Sequence, residues 1–145
     1  MPTLFDLIHR VQQIADAAYV NETAADGLTP RQLMALRVIE NNPGCSQTFI
    51  VSETGIDRST LADIMRRLKA SGHLRRHRTK EDARTYAVVA TDAGLKAVQA
   101  AETARKRAEA AVTNKLTKAQ LKTLTDALAA MIESQHKNIE LVAAE

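Results

Sequence analysis

The chain has 145 residues, with 20 Lys or Arg against 17 Asp or Glu, and its formal net charge is +3. This length supports one sizeable core, or a compact lobe with an extended one, and excludes two large independent domains. With no Trp, two Tyr and two Phe, the chain has almost no aromatic surface for stacking single-stranded bases, which argues against a single-strand binder.

Two amphipathic helices are predicted in the first third of the chain. Apolar residues at steps of three and four follow Thr3, and this pattern fades by Gly27. A second helix is predicted to start with a capping box, because the side chains of Thr29 and Gln32 can satisfy each other's backbone N–H groups. Pro30 then occupies the first helical position, where its fixed φ is favourable.

A short third helix and a longer fourth helix follow, joined by a tight turn. Ser46 can cap the third helix, which stops at Gly55, and Asp57 can cap the fourth, which ends before Gly72. Two helices joined by a turn of three or four residues, the second with a polar face, form a candidate helix-turn-helix. Thr54 stands where an aliphatic residue is expected, but the packing positions of the motif hold Val51, Ile56, Leu61 and Ile64.

The fourth helix has one polar face, opposite its apolar residues. Short or forked polar side chains there suit contacts with base edges and phosphates, although any surface helix also has a solvated face. The strongly basic stretch that follows favours the nucleic-acid contact. The candidate groove or phosphate contacts on this face are Ser59, Thr60, Asp63, Arg66 and Arg67.

Positive charge is concentrated between Arg66 and Arg84. This stretch holds eight Lys or Arg against two acids, a local balance of +6, so the rest of the chain sums to −3. Residues 73–79 and 85–90 have an extended pattern and flank a polar tip of about four residues, which predicts a β-hairpin. A basic hairpin after a polar-faced helix is what a protein needs to bind a polyanion such as DNA.

Two long helices are predicted after the hairpin. The first starts at Thr91 and runs to about Asn114, and the second opens with a capping box at Thr117 and Gln120. Long amphipathic helices at both ends of a small chain bury their apolar stripes best against a second copy of the chain. A homodimer is therefore expected.

The segment from Asp57 to Gly94 resembles the MarR (multiple antibiotic resistance regulator) family of winged helix-turn-helix transcription factors. The wing tip carries the family's Asp-x-Arg pattern at residues 82–84, and Thr91 and Gly94 open the next helix as in the family. Ala90 departs from the pattern, which has Leu there. The flanking helices match as well, so the resemblance spans almost the whole chain.

The resemblance implies a mainly α fold with a small two- or three-stranded β wing. It places a winged helix-turn-helix lobe at residues 29–91, flanked by dimerisation helices at residues 3–27 and 92–143, within one domain covering residues 1–145.

It further implies that the fourth helix enters the major groove of DNA, and that Arg84, positioned by Asp82, enters the minor groove. A surface ion pair of Arg84 with Asp82 or Glu81 is the alternative. Candidate phosphate contacts are Arg75, Arg76, Arg78 and Lys80.

The predicted function is therefore that of a sequence-specific transcriptional regulator, a ligand- or signal-responsive repressor that binds a pseudo-palindromic DNA duplex as a dimer. Its predicted partners are double-stranded DNA, a second copy of the chain and a small-molecule effector. The alternative is a winged-helix module for protein interaction or non-specific DNA architecture. No enzyme activity or cofactor is expected, because the sequence has no nucleophile and base pair, Gly-rich phosphate loop or metal cluster.

The remaining reactive residues are expected to be structural or exposed. Cys45 lies before the third helix, whereas peroxide-sensing members of the family use a Cys in the first helix, so a small structural or incidental thiol is expected. His9 and Arg10 on the first helix can line an effector cleft, with plain exposure as the alternative. No metal site is expected at any of the four His residues. The absence of a signal peptide pattern and of a membrane-spanning apolar run predicts a cytoplasmic protein.

Overall fold

The computed structural model describes the backbone of residues 1–78 and 86–144 and the side chains of residues 1–76 and 87–137. Two compact units, Met1–Glu109 and Ala110–Glu145, make up the chain. The mainly α fold with a two-stranded antiparallel wing confirms the predicted fold class. Within the described residues the elements are α1 (Leu4–Glu22), α2 (Pro30–Asn41), α3 (Gln47–Thr54), α4 (Arg58–Ala70), β1 (Leu74–Arg78), β2 (Tyr86–Ala90), α5 (Asp92–Thr113) and α6 (Lys118–Ala144).

Helix starts lie where the capping residues predict them. The Thr29 hydroxyl accepts a hydrogen bond from Gln32 N at 3.2 Å, and the Gln32 side chain accepts from Thr29 N at 3.0 Å. The same reciprocal box opens α6 at Thr117 and Gln120. Since each box satisfies two backbone donors that the helix itself cannot, these sequence signals fix the starts of α2 and α6.

Helix α1 ends at Glu22, earlier than its apolar pattern indicates, because side chains hold the following loop in a non-helical path. The Thr23 hydroxyl donates to the Tyr19 carbonyl oxygen at 2.7 Å. The buried Tyr19 hydroxyl in turn donates to the Leu28 carbonyl oxygen at 2.6 Å. These two bonds connect the last turn of α1 to the loop that leads into α2.

The core of the first unit lies among α2, α3, α4 and the wing, and it extends to Tyr19 of α1 and to the buried face of α5. Gly55, where the third helix is predicted to stop, has φ of +71° and makes the left-handed turn between α3 and α4. Thr54 is accommodated because its hydroxyl donates to the Ile50 carbonyl at 2.7 Å and accepts from Ile56 N at 3.2 Å. The largest fully buried side chains are Leu36, Ile39, Ile50, Leu61, Met65, Leu68 and Val88.

An isolated β-bridge joins the two-stranded wing to the turn before α3. Strands β1 and β2 pair antiparallel from Leu74 opposite Ala90 to Arg78 opposite Tyr86. Cys45, in the turn before α3, forms an isolated bridge with Val88, and Gly44 N donates to the Val88 carbonyl at 2.9 Å. The wing is thereby attached to the helical part of the lobe on the side of β2.

The start of α5 lies directly against the end of the helix-turn-helix. The Thr91 hydroxyl donates to the Gly72 carbonyl at 2.6 Å, and Thr91 N donates to the His73 carbonyl at 3.1 Å. Gly94 is buried here, and a Cβ at this position would lie 2.0 Å from the His73 carbonyl oxygen. Only glycine permits this approach of α5 to the backbone before β1.

Candidate nucleic-acid interface

Helix α4 separates a buried apolar side from an exposed polar side. Its four apolar residues, Leu61, Ile64, Met65 and Leu68, are all buried. On the opposite side Ser59, Arg66 and Arg67 are exposed, and Thr60 and Asp63 are half-buried. Packing therefore fixes the rotation of α4 and orients the polar side chains predicted from the sequence toward solvent.

Thr60 contributes its hydroxyl to the cap of α4. The Thr60 hydroxyl donates to Asp57 Oδ2 at 2.6 Å, and its backbone N–H donates to Asp57 Oδ1 at 2.9 Å. These hydrogen bonds hold the pKa of the Asp57 carboxyl below its ordinary value of 3.8, and the bond from the Thr60 hydroxyl has the larger effect. The carboxylate at the N-terminus also interacts favourably with the helix dipole.

Replacing this cap should destabilise the protein in a pH-dependent way. Because the pKa of Asp57 is lower in the folded protein, its stabilisation is present above the ordinary value of 3.8 and is lost as the pH falls through the folded value. Asp57→Ala is therefore expected to lower the melting temperature at neutral pH, with a gap from wild type that closes in acid. Asp57→Asn, which keeps an acceptor oxygen, should retain most of the stability. A gap that is independent of pH would contradict this role of the carboxylate.

Asp63 contacts both arginines of the polar face. Its Oδ2 lies 2.9 Å from Arg67 Nε, and its Oδ1 is paired with Arg66 Nη2. The three side chains stay accessible, with exposed fractions of 40% for Asp63, 75% for Arg66 and 69% for Arg67. The centre of this face is thus an ion-pair cluster of net charge +1.

Successive basic residues of β1 lie on opposite faces of the wing. Arg75 pairs with Val89 and is exposed, whereas Arg76 pairs with Val88 and is half-buried. Arg76 Nε is buried without a hydrogen-bond partner among the described residues. Arg78 occupies the last position of β1, opposite Tyr86. Lys80, Asp82 and Arg84, the predicted wing-tip contacts, lie outside the described residues.

Arg58 is a basic residue of this surface that the sequence predictions omit. It is the first residue of α4, exposed, and adjacent to Ser59. On the helical wheel it lies at the edge of the polar face, beside the exposed Lys69. A basic residue directly after the N-cap of the second helix of a helix-turn-helix is the signal that could have identified it.

Cys45 is half-buried beside the wing rather than in a reactive setting. Burial raises the pKa of its thiol, so less of it is thiolate at neutral pH. We expect Cys45 to react with iodoacetamide about tenfold more slowly than free cysteine at neutral pH, and Cys45→Ser to respond to peroxide no differently from wild type. Faster alkylation of Cys45 than of free cysteine would contradict a structural role.

Other kinds of site find no support in the part of the chain that the structure describes. No group of three or more His, Cys, Asp or Glu is arranged there to hold a metal ion. None of the described helices is long and apolar enough to cross a membrane. His9 and Arg10 are exposed on α1.

Comparison with known proteins finds similarity to transcriptional regulators. A model described as the MarR family matches residues 26–85. The putative transcriptional regulatory protein for the hcr operon of Thauera aromatica is 31% identical over 102 residues, 70% of this chain and 61% of that protein. The HTH-type transcriptional regulator TtmR of Methylorubrum extorquens (strain PA1) is 38% identical over 77 residues, 53% of this chain and 40% of that protein. The chain therefore spans less than two thirds of the length of these relatives.

A solved structure extends the similarity to most of the fold. The transcriptional repressor CouR, bound to a 23-mer DNA duplex, is 27% identical, with a TM-score of 0.82 over 89% of this chain and 92% of that chain. The matched family model includes α2 to α4 and β1, the elements that form the candidate interface. Residues 26–85 of the chain thus match the MarR family, and its fold is similar to that of a DNA-binding repressor.

Proposed function

We propose that this protein is a transcriptional repressor that binds a pseudo-palindromic DNA duplex as a homodimer and is released by a small-molecule or chemical signal. The observation that carries the proposal is α4, whose apolar side is buried while its polar and basic side remains exposed next to a basic strand. The two relatives named as transcriptional regulators and the repressor structure with bound DNA support it. Such a function needs no catalytic step, and it places the protein with the DNA in the cytoplasm.

In this proposal α4 enters the major groove and the wing follows the backbone of the duplex. Ser59, Thr60, Asp63, Arg66 and Arg67 would meet base edges or phosphates. The basic wing residues Arg75, Arg76, Arg78 and Lys80 would neutralise phosphates, which supplies affinity without sequence preference. Arg84 would enter the minor groove, held by Asp82.

Dimerisation is supported by apolar surface on the terminal helices. Leu4, Leu7, Val11 and Ile14 of α1 are exposed at helical spacing. On α6 a second exposed stripe comprises Leu124, Leu128, Met131 and Ile132. Such stripes are unfavourable in water and indicate a protein partner. We therefore propose that residues 3–27 and 92–143 are dimerisation helices, which contact the second copy through these stripes, and that residues 29–91 are the DNA-binding lobe.

A cavity within the first unit is a candidate effector site. Its volume is about 400 Å³, and it is bounded by the loop after α1, by His73 and by an alanine face of α5 made of Ala97, Ala100, Ala101 and Ala104. The His73 carbonyl is also the acceptor that holds the start of α5 through Thr91 N. A ligand here can thus shift α4 and the wing relative to α5, changing the separation of the two recognition helices.

A mobility-shift titration at several salt concentrations tests the DNA-binding proposal. Arg84→Ala is expected to weaken binding to the preferred duplex by about tenfold or more, because a minor-groove guanidinium is lost. Arg107→Ala, which removes an exposed arginine of α5, is the matched control and should bind nearly as the wild type does. Equal affinity of the wild type for preferred and random duplexes would contradict the regulator and favour an architectural module.

A further inference from the structure

An acid occupies the centre of the surface that is proposed to face DNA. Asp63 lies on the polar face of α4, and one carboxylate is shared by two arginines, Arg66 and Arg67. Arg67 Nε forms an ion pair with Asp63 Oδ2 at 2.9 Å, and Arg66 Nη2 donates a hydrogen bond to Asp63 Oδ1, so both arginines reach back along one helix to make their contacts. Neither guanidinium is fully available to a phosphate while this cluster persists.

The cluster is not explained by stability. Exposed ion pairs at these spacings contribute little to folding, because solvent screens them and long side chains lose entropy. The exposed fractions of the three side chains place them in this class. A carboxylate facing a polyanion is moreover repelled by the phosphates, so Asp63 weakens binding to any duplex that makes no favourable contact with its carboxylate.

A duplex can compensate for this repulsion only with a hydrogen-bond donor. An ionised carboxylate is acceptor-only, whereas guanine presents acceptors in the major groove and cytosine and adenine present amino groups. Opposite a cytosine or adenine amino group, Asp63 can exchange its arginines for a base. Opposite base acceptors Asp63 stays paired with its arginines, and the protein then has fewer free cations to contact the DNA phosphates.

We propose that Asp63 is a specificity-determining residue, which restrains Arg66 and Arg67 on random DNA and releases them on a duplex with an amino group of cytosine or adenine opposite its carboxylate. This inference rests on the proposed DNA-binding function. Asp63 then weakens binding to non-cognate DNA, in addition to making a direct contact with the cognate site.

The test compares two duplexes of equal length, one enriched by wild-type protein from a random pool and one of random sequence, by fluorescence anisotropy at several salt concentrations. Asp63→Asn should bind the random duplex about fivefold more tightly per subunit, with a salt dependence steeper by about one released ion. Its preference for the enriched duplex should fall by about tenfold or more. Asp63→Ala, which removes the amide as well, should behave alike, and melting curves verify that both variants fold.

Asp126→Asn is the matched control. Asp126 is also an exposed aspartate in an ion pair four residues from its partner, Lys122, and lies opposite the apolar stripe of α6. It should leave the preference between duplexes unchanged. Asp63 variants that keep the wild-type preference, or that lose affinity for the enriched duplex without gaining any for random DNA, would overturn the inference alone. A wild type without any preference would overturn the proposed function as well.

Discussion

Gly94→Ala is expected to destabilise the protein by about 3 kcal/mol, although a Gly→Ala change within an ordinary helix stabilises by about 1 kcal/mol. The added Cβ would lie 2.0 Å from the carbonyl oxygen of His73 and 3.0 Å from its carbonyl carbon. These are backbone atoms, so no rotamer change relieves the contact. The oxygen also accepts the Thr91 N–H, so moving it disturbs the join between α4, the wing and α5.

Urea unfolding of Gly94→Ala and of Ala93→Gly measures this effect. Ala93 is the exposed neighbour in the same turn of α5, so its change to glycine should show only the ordinary helix penalty of about 1 kcal/mol. Both substitutions are thus predicted to destabilise the protein: Ala93→Gly because it introduces a smaller residue, and Gly94→Ala because it introduces a larger one. Stabilisation by Gly94→Ala would show that α5 does not approach His73 closely.

Leu128→Glu is expected to raise the dissociation constant of the dimer by at least about 100-fold, because it places a charge in a desolvated apolar contact. Leu128 is 42% exposed in the single chain, within the stripe that runs along α6. Loss of the dimer removes simultaneous binding of two half-sites, so affinity for the preferred duplex should fall by at least about 100-fold. Sedimentation velocity and anisotropy on the same samples measure the two effects.

Ala130→Glu provides the control for this prediction. Ala130 is exposed on the side of α6 opposite the apolar stripe, so the same charge is added away from the proposed interface. It should leave the dimer and DNA binding intact. Dissociation by Ala130→Glu, or a stable dimer with Leu128→Glu, would place the interface elsewhere.

Local chemistry explains why the element order could be predicted from the sequence. Caps such as Thr29 and Asp57 satisfy backbone donors within three residues, and Gly55 takes a positive φ that other residues avoid. These signals need no knowledge of the rest of the fold. The rotation of α4 was predictable for the same reason, since its four buried residues recur at helical spacing.

Contacts between distant segments were not predictable in this way. The bridge of Cys45 to Val88 joins residues 43 positions apart, and the approach of Gly94 to His73 depends on how α5 leaves the wing. The sharing of Asp63 by Arg66 and Arg67 is local, yet three charged residues at these spacings allow several pairings. Side-chain geometry selects one of these pairings, and a helical wheel gives no information on side-chain geometry.

Selection of bound sequences from a random duplex pool tests most directly that the protein is a sequence-specific dimeric regulator. The enriched duplexes are predicted to share a pseudo-palindrome whose half-sites are centred about 10 base pairs apart, because two copies of α4 enter successive major grooves on one side of the DNA. Enrichment of no common sequence, or of single half-sites without symmetry, would contradict this account.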